Sequence, residues 1–500
     1  MHIMKHSFHL SAIYCCPFLC LTLIGPATGQ VTSPHMLCGT RDGKIEWLIK
    51  YQQNPEAYPK SNDTLFVPLT IHVVGTNGGG GYFSLNNVLR SVCTLNEDYI
   101  ESGIQFYIAG TIDSIANSTY NNHNFQTGSE MMSLYHVPNT VNCYIPNSPG
   151  DGLCGYSDYN LGITIAKGCL GPGDHTFAHE MGHYLSLPHP FWGWEGFTHD
   201  YSEPAPVQIN DAIVERVDGQ YCNIAGDGFC DTPPDYLNYR WPCDGQSNST
   251  LLQTDPSGAT FQSDGTLIMS YSYDNCSSRF SAQQSAAMRA NILTEKAEFL
   301  NNDTQLYPLT TGPLTVYSPE AGSLQEEYKN VTFTWGAIPH ADVYMLEVSP
   351  LASLNPVQFR YTQADTTVFS NVLLKNKNYY WRVSAYNNWN TCLVTSEIFN
   401  FETGSLTAVH DITSLTGMSI RPNPVSAGQN ISLNLTISEP FEGAVEILRP
   451  SGQKVFSENW QLAAGTHLRE IPAAEWAPGL YFLQLKSPEG VRTAKFVVGR

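Results

Sequence analysis

Asp174-His-Thr-Phe-Ala-His-Glu-Met-Gly-His-Tyr-Leu-Ser-Leu-Pro-His-Pro190 is the most informative stretch of this 500-residue chain. Asp174 is placed to cap a helix starting at His175, because its carboxylate accepts from the free backbone N–H groups of a first turn. His179 and His183 then stand at i and i+4, stacked on one helical face, where both imidazoles reach a single ion. Glu180, beside the first of them, can touch a water at that ion without ligating it. Zinc prefers tetrahedral nitrogen ligation, and a catalytic site leaves its fourth position to water.

A third protein ligand is needed, and three candidates arise. His175 and His183 are separated by about 12 Å of helix at ~1.5 Å per residue, too far for one ion. A glutamate on a second helix would serve, but Pro188 and Pro190 stop the first helix and no helical Glu follows at a suitable distance. His189 lies past a turn and can fold back under the helix, which makes it the favoured third ligand. Downstream, Thr266-Leu-Ile-Met269-Ser-Tyr271 precedes Cys276.

His179, Glu180, His183 and His189 have the metzincin spacing, and Met269 fits the tight methionine turn that metzincins carry beneath the zinc. Cys38-Gly-Thr-Arg41, Thr176-Phe-Ala-His179, Gly226-Asp-Gly-Phe-Cys-Asp-Thr-Pro233 and Phe280-Ser-Ala-Gln-Gln284, leading to Met288-Arg289, extend the match. From about Cys38 to Asn291 the chain resembles the pappalysin family of metzincins. The resemblance implies a zinc endopeptidase with a mixed sheet above the cleft and helices below. Some members bind structural Ca2+, for which Asp227 and Asp231 are the residues at hand. Members that cut before arginine keep an acidic residue near the cysteine after the Met-turn. Here neutral Asn275 stands directly before Cys276, with Asp274 ahead of it, so a basic preference is not implied.

One residue departs from the match and two have two readings. Ser186 stands where the family has glycine at the helix reversal, a conformation that costs serine about 1 kcal/mol. Tyr271 either points its hydroxyl at the metal or the developing oxyanion, or packs. Cys38 resembles the cysteine of pappalysin-like pro-segments, whose thiolate fills the open zinc position. Its alternative is a disulfide with Cys392.

Composition agrees with an exported globular protein. Hydrophobic residues make up 42% of the chain and aromatic residues 12%, and the formal net charge is −20. That charge argues against nucleic acid or an anionic membrane surface as partner. Lys5, the apolar run Leu10 to Ile24 and the small residues Ala27 and Gly29 read as a signal peptide over 1–29. No later stretch is long and apolar enough for a transmembrane segment. Beyond the signal, eight cysteines lie between Cys93 and Cys276 and read as four disulfides, with Cys154 and Cys169 a local pair.

Leu65–Val74, Ile104–Ala109 and Leu161–Ala166 read as strands and Leu85–Gly103 as helix, an α+β catalytic unit with a mixed sheet and an active-site helix over residues 63–305, behind a pro-segment at 30–62. After Asn301 short alternating strands take over. Residues 313–404, with Trp335 and Trp381 as core aromatics, resemble a fibronectin type III β-sandwich. Residues 415–500, with Arg421-Pro-Asn-Pro424 and Gly479-Leu-Tyr-Phe482, resemble the C-terminal sorting domain of type IX secretion cargo. The expected protein is a zinc endopeptidase exported to the medium or the outer cell surface. Its expected partners are the type IX machinery and protein or peptide substrates, the latter pairing with an edge strand at Gly162–Ala166. The rival readings are a surface adhesin with a vestigial zinc site and a thermolysin-like exopeptidase.

Overall fold

The computed structural model describes residues 38–40, 43–301, 309, 314–406, 412–426, 428–487 and 490–499, so the signal-peptide stretch lies outside the described residues. Strand β1 (Leu65–Gly75) is apolar on both faces and buried at every residue but Phe66, which makes it a central strand. It pairs in parallel with β2 (Ile104–Ile108), β3 (Asp113–Ala116) and β4 (Val141–Ile145). The sheet continues through β6 (Gly162–Ile165) to β5 (Gly155–Asp158), the one antiparallel strand. The strand expected at the edge, Gly162–Ala166, is therefore interior. β5 is the edge.

Six helices accompany this sheet: α1 (Glu46–Gln53), α2 (Leu85–Tyr99), α3 (Ser118–Asn121), α4 (Phe125–Leu134), α5 (Thr176–Tyr184) and α6 (Ala282–Thr294). Ser84 caps α2 by accepting from Asn87 N, and Ser281 with Gln284 forms a capping box on α6. Val88, Val92 and Leu95 of α2, Phe177 and Met181 of α5, and Met288 and Ile292 of α6 pack with the sheet in one core. Leu48 and Tyr51 of α1 join that core, although α1 lies in the stretch read as pro-segment.

The cysteine expectation needs correcting. Cys154–Cys169, Cys222–Cys230 and Cys243–Cys276 pair within the cluster, but Cys93 bonds Cys392, 299 residues away. Cys143 is left as a free thiol, buried on β4, and burial pushes it up out of reach of ionisation. Cys38 is also free.

Two β units follow. In the first, a three-stranded sheet faces a six-stranded one, and Phe333, Trp335, Tyr379, Trp381 and Phe401 fill the space between. In the second, sheets of three and four strands enclose Leu433, Val445, Tyr481 and Phe496. The first β unit is fastened to the α+β unit. Trp389 stacks on Tyr107 of β2 at 3.8 Å, Asn388 O accepts from Ile108 N at 2.9 Å, and the Cys93–Cys392 bond closes the junction. Among the described residues no helix is long and apolar enough to cross a membrane.

Candidate metal centre

Helix α5 begins at Thr176, whose N–H donates to Asp174 Oδ1 at 2.9 Å. The helix starts one residue later than expected, so His175 stands at the cap position without a side-chain capping bond and Asp174, one residue before it, accepts from the first helical N–H. His175 Nδ1 donates to Asp98 of α2 at 2.9 Å. Burial alone would lower the pKa of His175, but the hydrogen bond and charge of Asp98 outweigh it and raise it. The helix ends in a Schellman motif: Leu187 N donates to Gly182 O and Ser186 N to His183 O, both at 2.9 Å. Ser186 occupies the left-handed position with φ 85°. That reversal carries the chain back beneath the helix and delivers His189.

The result is a compact triangle. His179 Nε2 lies 3.2 Å from His183 Nε2, His183 Nε2 lies 3.1 Å from His189 Nε2, and the third side is 3.3 Å. Each opposite ring nitrogen is already committed. His179 Nδ1 donates to Ile268 O at 2.8 Å and His183 Nδ1 to Leu187 O at 2.7 Å, while His189 Nδ1 faces Glu195 Oε1 at 3.3 Å. With the protons on Nδ1, three bare Nε2 lone pairs face one another, an arrangement that repels itself unless a cation sits among them. A tetrahedral ion with nitrogens at ~2.0–2.1 Å sets those nitrogens roughly 3.3–3.4 Å apart, close to the observed edges. Burial lowers the pKa of His179 to about 4 and holds those of His183 and His189 well below the ordinary range, so all three rings are in the neutral, ligating form.

Glu180 sits beside this triangle with no exposure to solvent. Burial raises its pKa to about 8. Its Oε2 accepts from Thr40 Oγ1 at 3.0 Å and from Cys38 Sγ at 3.5 Å, while its Oε1, also buried, has no protein partner. Met269 lies under the helix, fully buried; a Cβ on Gly182 would come within 2.4 Å of its sulfur. The helix therefore needs glycine where the methionine packs. The ring of Tyr271 packs 4.9 Å from that of His189 and 5.9 Å from that of His179, and its hydroxyl donates to Cys38 O at 3.3 Å.

Cys38 brings its sulfur to the same point: Sγ and one ring nitrogen from each of His179, His183 and His189 lie within 4.8 Å of one another. Burial, then the charge of Glu180, push the thiol's pKa well up, so it needs a cation to become a thiolate. The segment is held along the edge strand. Gly39 N donates to Gly155 O at 2.8 Å, and Ser157 N donates to Thr40 Oγ1 at 2.8 Å. Residue numbers rise together on both sides, so the segment runs parallel to β5.

One other cluster of His, Cys, Asp or Glu side chains converges among the described residues, Cys93, Glu97 and Cys392, and its cysteines are already joined. The expected calcium residues are engaged elsewhere. Asp227 accepts from Phe229 N, Thr232 Oγ1 and Gln284 Nε2, whereas Asp231 accepts from Ser281 Oγ and Gln283 N. Both carboxylates serve the capping of α6 and the turn before it, and a structural Ca2+ has no support. Asn275 is exposed, and Asp274, which does line the cleft, is paired with Arg240 at 2.7 Å. Thr40, Glu195 and Arg240 went unnoticed in the sequence. Only Thr40 had a signal, standing in the quoted Cys38-Gly-Thr-Arg41.

Known proteins similar to this chain are extracellular metalloproteases. The extracellular metalloprotease of Colletotrichum graminicola is 30% identical over 253 residues, covering 44% of this chain and 89% of that protein. Those of Pyricularia oryzae (28% over 165 residues, 29% and 58% covered) and Verticillium alfalfae (26% over 222 residues, 39% and 79% covered) are also similar. A model of the secretion system C-terminal sorting domain matches residues 419–499. The chain is a secreted metalloprotease. More particularly, it belongs to the family of extracellular metalloproteases that these fungal proteins represent, with a type IX sorting domain at its C-terminal end that directs it to the cell exterior or surface.

Proposed function

We propose that the chain is a pappalysin-like metzincin endopeptidase in which His179, His183 and His189 hold zinc and Glu180 is the general base. The observation that carries this reading is the triangle of Nε2 atoms with 3.1–3.3 Å edges, all three opposite nitrogens being committed elsewhere. When bound, zinc supplies Lewis acidity, polarising the scissile carbonyl and lowering the pKa of water. Glu180 takes the proton of the attacking water on its unpartnered carboxylate oxygen and passes it to the leaving amine. Substrate lies extended along β5, whose outer edge is the free side of the sheet. Tyr271, with its ring on two of the histidines, is placed to donate to the developing oxyanion once Cys38 has left.

In this reading Cys38 is the latency switch. Its sulfur takes the position that the reaction needs open, and Gly39 and Thr40 fill the strand edge that substrate needs. Residues 30–62 form the pro-segment, 63–305 the catalytic domain and 313–404 a fibronectin type III-like spacer; the sorting domain begins near residue 415.

Metal analysis and casein hydrolysis with and without a chelator test the reading together. One zinc per chain and chelator-sensitive cleavage are expected; turnover untouched by metal removal would end it. Cys38→Ala in the unprocessed chain is expected to abolish latency, and a variant as inert as its parent would dismiss the switch.

A further inference from the structure

The cleft at the metal centre has two unequal halves, with Cys38 and Tyr271 between them. On the side of His179 and Glu180 is a small recess of about 120 Å³ whose walls include Asp174, Arg240, Asp274 and Ser277. On the side of His189 is a groove of about 630 Å³ whose walls include Phe125, Leu153 and Trp192. Chemistry orients a substrate between them. Glu180 delivers its proton to the leaving nitrogen, which belongs to the residue after the scissile bond, so that residue lies toward the recess on the Glu180 side. Residues before the bond then run into the groove beyond His189.

Asp151, Glu195 and Asn238 also line that groove, but it has three large apolar side chains, Phe125, Leu153 and Trp192, which the recess lacks. Phe125 opens helix α4 behind the cap Asn124, whose side chain accepts from Thr127 N. Leu153 is next to Cys154, pinned by its disulfide to Cys169. Both side chains are half-buried, as is Trp192. At Gly39 and Gly43 the N-terminal segment approaches them with backbone alone. A Cβ on Gly39 would fall 2.2 Å from Leu153 Cδ1 and 3.0 Å from Phe125 Cζ, and one on Gly43 would fall 2.6 Å from Trp192 Nε1. At these two positions the described residues of the segment lie too close to Leu153, Phe125 and Trp192 for a side chain of their own. Once it leaves, three large apolar side chains line a space big enough for a side chain of substrate.

We propose that this groove is the subsite for residues preceding the scissile bond, and that Phe125, Leu153 and Trp192 make it select a large apolar side chain. The proposal rests on the endopeptidase reading given above. The recess, lined in part by the Arg240–Asp274 ion pair, is left to the residue after the bond.

The test is the exported, processed enzyme acting on a peptide library randomised at the three positions before the bond. At one of them Phe, Leu or Met is expected to exceed Gly and Asp in kcat/KM by about tenfold or more. Leu153→Ala and Phe125→Ala should each reduce that ratio to about threefold or less, and Leu153→Met should restore it, with selection after the bond unchanged in all three. Because a ratio is read, partial loss of folded enzyme does not affect it. A flat profile before the bond, or an apolar preference that survives both alanine variants, overturns the subsite while leaving the protease reading intact. A zinc-loaded enzyme that cleaves no member of the library overturns the endopeptidase reading, and the subsite falls with it.

Discussion

Glu180 in the α+β unit and Glu347 in the first β unit are both almost wholly buried carboxylates, at 0% and 1% exposure, yet the chain treats them in opposite ways. Glu347 is bound on both oxygens, by Arg360 at 2.6 Å and by Arg382 at 2.8 Å, on the two strands that flank its own. Burial would raise its pKa, but those hydrogen bonds and charges outweigh it and hold the carboxyl below its usual range. Glu180 has no cation among its protein partners, only the thiol of Cys38 and the hydroxyl of Thr40, and burial carries it up to about 8. A buried carboxylate satisfied by arginines is architecture. One left without a cation costs stability, and in the proposed mechanism it is retained as the base.

The largest effect tests the reactive member of the pair. Glu180→Gln in processed enzyme is expected to keep its zinc and lose about 10³-fold or more in kcat, measured on a peptide substrate. Its thermal midpoint should stay level or rise, since an uncompensated buried acid is removed. A fall in stability with activity retained would reverse the two roles. Glu347→Gln comes next: about 2 kcal/mol of stability lost in urea unfolding, with kcat/KM unchanged, because two charge-assisted bonds are weakened. Any loss of turnover in the folded variant would mean that the β unit takes part in catalysis.

A smaller effect is the pH dependence. The folded pKa of Glu347 lies below its unfolded value of about 4.5, so its contribution to stability is complete above that value. It fades as pH falls through the folded pKa, and the Glu347→Gln variant should show a shallower decline than the parent below pH ~4.5. Parallel decline of the two proteins would remove Glu347 from the account. Least of all, Ser186→Gly relieves a left-handed serine at φ 85° and should stabilise the α+β unit by up to about 1 kcal/mol. Destabilisation instead would indicate that the buried serine hydroxyl, which has no protein partner, holds something there.

What could be read from the chain alone follows the reach of each interaction. His179, Glu180, His183 and His189 fall in one short stretch, and the cap, helical spacing and reversal that converge them are local, so their juxtaposition was legible. The same holds for Cys154–Cys169, 15 residues apart. Strand order was not. Gly155-Tyr-Ser-Asp158 is four residues with little β propensity, and it becomes a strand only through its pairing with Gly162–Ile165, which it displaces from the edge. Cys93–Cys392 depends on how two units dock, and no spacing rule reaches across 299 residues. Glu195 reaches His189 by a loop geometry that Trp192-Gly-Trp-Glu195 does not announce.

The contact made by Asn388, Trp389 and Cys392 also bears on how this enzyme can be produced. They cover the outer side of β2, where Ile108 N finds its acceptor, and they consume the thiol of Cys93. A recombinant fragment stopped at the end of the α+β unit would lack the acceptor of Ile108 N, the ring that covers Tyr107 and the partner of Cys93, side by side. Such a fragment is expected to elute as disulfide-linked aggregates, and adding back residues 314–406 should return it to a monomer.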